Sequence, residues 1–185
     1  NLAVRGYSYN IKKAKEHVDQ FRIDSGIQNP TLSLASDENY VDLCTYLQNT
    51  YNQIGITINI EIMPSAALRE AQSNGKLELF RSSWIADYPD PENYLLPYFS
   101  ENFSPNGPNY THFKSKRFDE GYKEIAATLD ADRKNNLINS LDQQLVDTAP
   151  FILLYYDEVL RFTHPNVEGM TPNPVNMLDL RRVRK

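Results

Sequence analysis

Cysteine is almost missing from this chain of 185 residues: Cys44 stands alone, which excludes an internal disulfide and any zinc site built on cysteines. Histidine is nearly as scarce. His17, His112 and His164 lie far apart, with no His-Glu-x-x-His or similar spacing, so no metal site is expected. No apolar run approaches the roughly 18 residues a membrane-spanning helix needs, and the mean hydropathy is -0.56. Positive charge has no face of its own. Nineteen Lys and Arg stand against 24 Asp and Glu, for a net charge of -5. The one basic cluster, Arg181, Arg182, Arg184 and Lys185, reads as a solvated tail, so nucleic acid is not an expected partner. A Gly-x-Ser-x-Gly elbow, a Cys–His pairing pattern, a phosphate-binding loop and internal repeats are all missing. The chain opens at Asn1 with neither Met nor an apolar signal segment, which reads as a mature product or an excised fragment.

What is present suits one domain, or two small ones, with a real core. Apolar residues make up 41% and charged residues 23%, an ordinary globular mixture. Aromatics reach 11%, with 12 Tyr and 8 Phe against a single Trp, enough amphipathic rings to line a binding surface or fill a core.

Helical and strand signals alternate in the first half. Asn10 is placed to cap a helix whose apolar face is Ile11, Ala14, Val18 and Phe21. After Gly26 and Pro30, Thr31–Ala35 alternates like a strand. Ser36 or Asp37 could cap a second helix with Tyr40, Val41, Cys44, Leu47, Tyr51 and Ile54 inward, ended by Gly55. Thr57–Met63 is a second strand by its period of two. Pro64 opens a short helix through Leu68 and Ala71, closed by Gly75, and Leu77–Trp84 reads as a third strand. This spacing is that of parallel β-α-β crossovers, so the fold class is α/β.

The stretch from Asp87 to Pro108 holds five prolines and supports little regular structure beyond a short helix around Glu92–Tyr98. Two helices follow. Ser115 begins one with Phe118, Tyr122, Ile125, Ala126 and Leu129 on a face, and after Asp130 another carries Leu137, Ile138, Leu141, Leu145 and Val146. Pro150 ends it. Phe151–Tyr156 is apolar enough for a buried strand, with Val159–Thr163 pairing as a hairpin through Asp157-Glu158, and the proline-bearing residues beyond look extended.

The distinctive string is Trp84-Ile-Ala-Asp87-Tyr-Pro-Asp90-Pro-Glu92-Asn93, directly after a parallel strand, where ligands of open α/β sheets bind. Asp87 can pair with a ligand ammonium group, or it can cap the turn; Asp90 reads as the cap of a helix at Pro91. A hydrolase would need two carboxylates flanking a scissile bond, and Asp87, Asp90 and Glu92 sit instead in turn chemistry.

Four segments together resemble the C-terminal portion of the peptide/nickel-type solute-binding proteins of ABC importers, extracellular family 5. Gly6-Tyr-Ser-Tyr-Asn10 with Ala14-Lys15 is similar to that family's "GYSYDPEKAKELL". Trp84 to Asn93 matches its W-x-x-D-Y-x-D-P-x-N/S hallmark. Asn109-Tyr110 leading to Phe118-Asp119 resembles its "N-Y…F-D" stretch, and Asp142 to Tyr156 its "A-E-Q-x-L-x-x-D-A-P-x-I-P-L-Y".

The resemblance implies one lobe of a class II periplasmic-binding-protein-like fold, with a mixed, mostly parallel sheet flanked by helices. Residues 1–163 would be lobe two, and 164–185 an extended tail returning to an N-terminal lobe that this sequence lacks. It implies that Asp87 binds a peptide α-ammonium group, with Trp84, Ser83, Ile85 and Tyr88 lining the pocket, and that Arg81 meets a peptide carboxylate. Ser82-Ser83 stands where relatives often have Gly, which narrows the pocket. No catalytic residue, metal or cofactor is implied. The expected partners are a peptide or related amine-bearing solute, ABC permease subunits and the other lobe, with a location in the periplasm or cell envelope, a lipid anchor being one form. Family members also bind nickel chelates, haem, oligosaccharides or opines. The tail is expected to expose Val175, Met177 and Leu178, or to bury them in a neighbouring copy. A lone lobe, holding half of the site, should bind peptide weakly.

Overall fold

The computed structural model describes residues 3–156, 158–173 and 177–185. Its order is α1 (Ile11–Ser25), β1 (Thr31–Ser36), α2 (Val41–Gln53), β2 (Thr57–Ile62), α3 (Ser65–Ser73), β3 (Leu79–Phe80), α4 (Lys116–Ala127) and α5 (Ala131–Thr148). Short 3₁₀ turns fill the gaps at 38–40, 91–94, 96–98 and 100–102. The three strands run parallel in the order β2-β1-β3, so each connection is a helical crossover, as the alternating signals predict. Among the described residues no antiparallel strand joins this sheet, which is parallel throughout rather than mixed.

Local chemistry sets the element ends. The Asn10 side chain accepts from the Lys13 N–H at 2.9 Å, and Gly26 ends α1 at φ 74°, a left-handed turn that glycine adopts without steric cost. Arg22 then ties α1 to the turn after α2, donating to the carbonyls of Gln28 at 2.9 Å and Gly55 at 3.0 Å. Ser115 and Asp130 cap α4 and α5 through the N–H groups of Phe118 and Arg133. Asp37 caps the 3₁₀ turn Glu38–Tyr40, not α2 itself, and so sets α2 off from β1 by one tight turn.

Two apolar clusters result. Leu34, Cys44 and Ile58 join α2 to the sheet, with Leu47, Tyr51 and Leu79 against them. Leu95, Phe118, Ile125, Ile138, Leu141 and Leu145 form the other, between α4, α5 and the long loop, with Tyr98 stacked on Phe151 at 4.8 Å between ring centroids.

The structure corrects several expectations. The third strand is two residues long, because β1 pairs only with Leu79 and Phe80 before the chain turns into its loop. The helix around Glu92–Tyr98 is a pair of 3₁₀ turns, since Pro91 and Pro97 can each open a turn but lack the N–H that a longer helix would use. Phe21, Val41 and Leu129 are exposed despite their apolar spacing. Phe151–Tyr156 is not a buried strand. Ile152 to Tyr156 are 43–77% exposed, because among the described residues no strand lies beside the run to complete a ladder. Val159–Thr163 is likewise no strand, and Asp157 of the expected hairpin lies outside the described residues. In the tail Met177 and Leu178 are exposed, and Val175 lies outside the described residues.

Candidate functional site

The chain leaves β3 at its carboxyl end and enters the Trp84 string beside the carboxyl end of β1. Arg81 is fixed at both backbone groups: its N–H donates to the Ala35 carbonyl at 2.9 Å, and its carbonyl accepts from the buried Gln72 amide at 3.2 Å. The residue is half-buried; its guanidinium lies over the Tyr40 ring, 3.4 Å from the centroid, and meets no carboxylate among the described residues.

Asn93 organises the turn that follows. It is 0% exposed, and its Oδ1 accepts both the Trp84 indole N–H at 2.9 Å and the Asp87 backbone N–H at 3.2 Å. One buried amide therefore fixes the ring of Trp84 and the backbone of Asp87 together, while Ala86 between them packs inward. Sequence reasoning marked Asn93 only as a letter of the family string. Its role depends on the 3₁₀ turn that brings it back under residues six and nine positions earlier, which no local pattern signals.

The carboxylates of the string separate by function. Asp90 caps the turn at Pro91, accepting from the Glu92 N–H at 3.0 Å, and pairs with Lys134 of α5 at 2.5 Å. The Lys134 hydrogen bond holds the Asp90 carboxyl below its ordinary range, against a smaller opposing push from burial; the Lys134 ammonium is correspondingly raised by Asp90. Glu92 accepts the hydroxyls of Tyr88, at 2.5 Å, and of Tyr122 on α4. Tyr122 is held well above its usual value, by burial first and then by this bond to an anion; Tyr88 is raised chiefly by the same carboxylate. These two acids tie the loop to the helices beneath it and do not flank an open space, as a hydrolase pair would. Asp87 is the exception. It is exposed, and its side chain accepts no hydrogen bond among the described residues, so it does not serve as the turn cap.

Of the expected site residues, the structure thus gathers Arg81, Ser83, Trp84, Ile85, Asp87 and Tyr88 on one loop at the carboxyl end of the sheet. Ser83, Asp87 and Tyr88 are exposed, Ile85 is 68% exposed, and Trp84 is half-buried. A second loop follows in the sequence. Asn109, also buried, gives Nδ2 to the carbonyls of Phe99 and Phe113 and takes the Phe113 N–H on Oδ1. Ser104 Oγ lies 2.9 Å from His112 Nε2, but no carboxylate orients that ring among the described residues, so it lacks the third member of a hydrolytic triad. Among the described residues, no group of three or more His, Cys, Asp or Glu side chains is placed to hold a metal ion, and no helix is long and apolar enough to cross a membrane.

Comparison with known proteins converges on one family. The profile described as "bacterial extracellular solute-binding proteins, family 5 Middle" matches residues 2–106. The dipeptide-binding protein DppE of Bacillus subtilis is 25% identical over 134 residues, which cover 72% of this chain and 24% of that protein. Among solved structures, the substrate-binding domain of an oligopeptide ABC transporter from Bacillus anthracis superposes with a TM-score of 0.78 at 18% identity, over 97% of this chain and 35% of that one. The periplasmic binding protein DppA of Helicobacter pylori, solved with the peptide STSA, gives a TM-score of 0.70 at 24% identity over 78% and 28% of the two chains. The chain spans about a quarter to a third of the length of the curated relatives it matches. At these identities the superpositions establish the fold: a small parallel sheet flanked by helices, as in the peptide-binding proteins of the periplasmic-binding-protein class.

Proposed function

Because this chain belongs to the bacterial extracellular solute-binding proteins of family 5, we propose that it supplies one lobe of the substrate-binding component of an ABC importer, and that its ligand is a peptide or a related amine-bearing solute. Residues 1–163 form the lobe, and 164–185 run on to an N-terminal lobe of the same protein. The two lobes close around the ligand in a hinge motion and deliver it to permease subunits in the membrane, outside the cytoplasm. The role has no catalytic step.

The observation that carries this reading is Asp87: an exposed carboxylate with no hydrogen bond among the described residues, on a backbone pinned by a buried amide, at the ligand-binding end of a parallel sheet. A ligand ammonium there gains a charge-assisted hydrogen bond, worth about 1.5–3 kcal/mol. Trp84, Ile85, Ser83 and Tyr88 offer a partly apolar surface beside it. The names of the relatives support peptides over the other solutes bound in the family.

Native mass spectrometry of the full-length protein with short peptides, free or N-acetylated, tests this. Retention of the free-amine set, lost in Asp87→Asn, is the expected result. Equal retention of both sets removes Asp87 from the role, and retention of neither removes peptides.

A further inference from the structure

Arg81 is an unusual cation for its surroundings. It is half-buried, its guanidinium stands over an aromatic face, and no carboxylate among the described residues neutralises it. Both of its backbone groups are tied, so the position of its Cα is fixed by β1 and α3. What remains is the long side chain, and among the described residues Tyr40 is what holds it. Tyr40 is itself fixed: it closes the 3₁₀ turn Glu38–Tyr40, whose cap is the buried Asp37 at the carboxyl end of β1. Nothing in the composition or spacing singles this tyrosine out as more than a helix-face residue.

We propose that Tyr40 is a positioning residue for ligand recognition: its ring holds the Arg81 guanidinium ready for a ligand carboxylate, and so sets how strongly the site prefers a free acid end. The proposal rests on the peptide-binding reading above, with Asp87 at the amine end. With Cζ 3.4 Å from the ring centroid, the contact engages the face of the guanidinium carbon; a guanidinium held by its face keeps its N–H edge, the part that matches a carboxylate, available to a ligand. A flexible arginine would lose side-chain freedom when the ligand arrives; one already stacked has lost part of it beforehand. Tyr40 therefore acts on the carboxylate end alone and leaves the amine end unchanged.

The test uses the full-length protein and alanine peptides of two to five residues, each as free acid and as C-terminal amide, with affinities measured by calorimetry. The quantity read is the acid-to-amide affinity ratio. Wild type should prefer the acid by about tenfold or more, and Arg81→Gln should abolish the preference. Tyr40→Leu should cut the ratio by about threefold to tenfold while Tyr40→Phe, which keeps the ring, restores it. Tyr40→Gln is a second replacement should the leucine variant misfold, and thermal melts identify a misfolded variant. Acetylation of the amine end should weaken wild type and Tyr40→Leu equally. An unchanged ratio in a folded Tyr40→Leu or Tyr40→Gln overturns the proposal. So does a wild type that binds amine-bearing peptides through Asp87 without distinguishing acid from amide, a result that leaves the peptide-binding reading standing. Binding of no peptide at all overturns both.

Discussion

Asn93 does more for this site than any of the residues that face solvent. Its single acceptor oxygen, on a fully buried side chain, satisfies an indole N–H and a backbone N–H, and both lose that partner on its removal. A buried donor left without a partner costs about 1–3 kcal/mol. Asn93→Ala should therefore destabilise the protein by about 2–4 kcal/mol in urea unfolding, less than two fully buried donors would cost, because both bonds are only part-buried. Trp84 is the only tryptophan, so its emission reports the same event: the variant should shift to longer wavelength as the indole is released. An unshifted spectrum at wild-type stability would show that the amide is dispensable. The tryptophan and aspartate of this string stand out in the sequence by their types and spacing. The asparagine that holds them does not, because its partners are set by how the loop folds back.

At the scale of elements, the loop is fastened to the helix pair by charge. Asp90 joins the 3₁₀ turn Pro91–Tyr94 to α5 through Lys134. Since the folded Asp90 carboxyl sits below its unfolded value, the pair stabilises the protein fully above about pH 4 and loses that contribution as pH falls through the lowered value. Lys134, raised by the same partner, keeps its proton beyond the ordinary alkaline limit. The stability difference between wild type and Asp90→Asn should thus be flat from about pH 5 to 9 and shrink below about pH 4, with a plateau of roughly 1 kcal/mol for a partly exposed pair. A difference independent of pH down to about pH 2 would mean that the ion pair contributes nothing. The elements were legible in the sequence where their causes are local. Asn10 caps its helix as its type and position predict, the helices expected from Ser115 and after Asp130 start there, and β1 and β2 follow their alternation. Phe151–Tyr156 has the apolar composition of a strand without being one, because a strand is a property of two segments and the ladder partner that would bury it is not among the described residues.

At the scale of the whole molecule, the described surface carries an apolar stretch that a lone domain seldom shows. Ile152 to Tyr156, Val159, Leu160 and Phe162 are all exposed, and Met177, Leu178 and Leu180 repeat the pattern in the tail. Contiguous patches of this kind drive association. A polypeptide of these 185 residues alone should sediment as a concentration-dependent oligomer, and replacing Leu160 and Phe162 by Ser should shift it toward monomer. A monomer at all concentrations would mean that these side chains find cover within the chain.

The two apolar clusters bear on how the site behaves in time. One joins α2 to the sheet, the other joins α4 to α5, and they share no residue. The Trp84 string runs between them, from Leu79 packed on the first to Leu95 buried in the second. Each cluster can open and close as its own cooperative unit, with the string as a seam between two plates. A solute gripped by that string would act as a rivet, damping the breathing of each plate against the other. Its grip would then be readable as slowed amide exchange in α2 and α5.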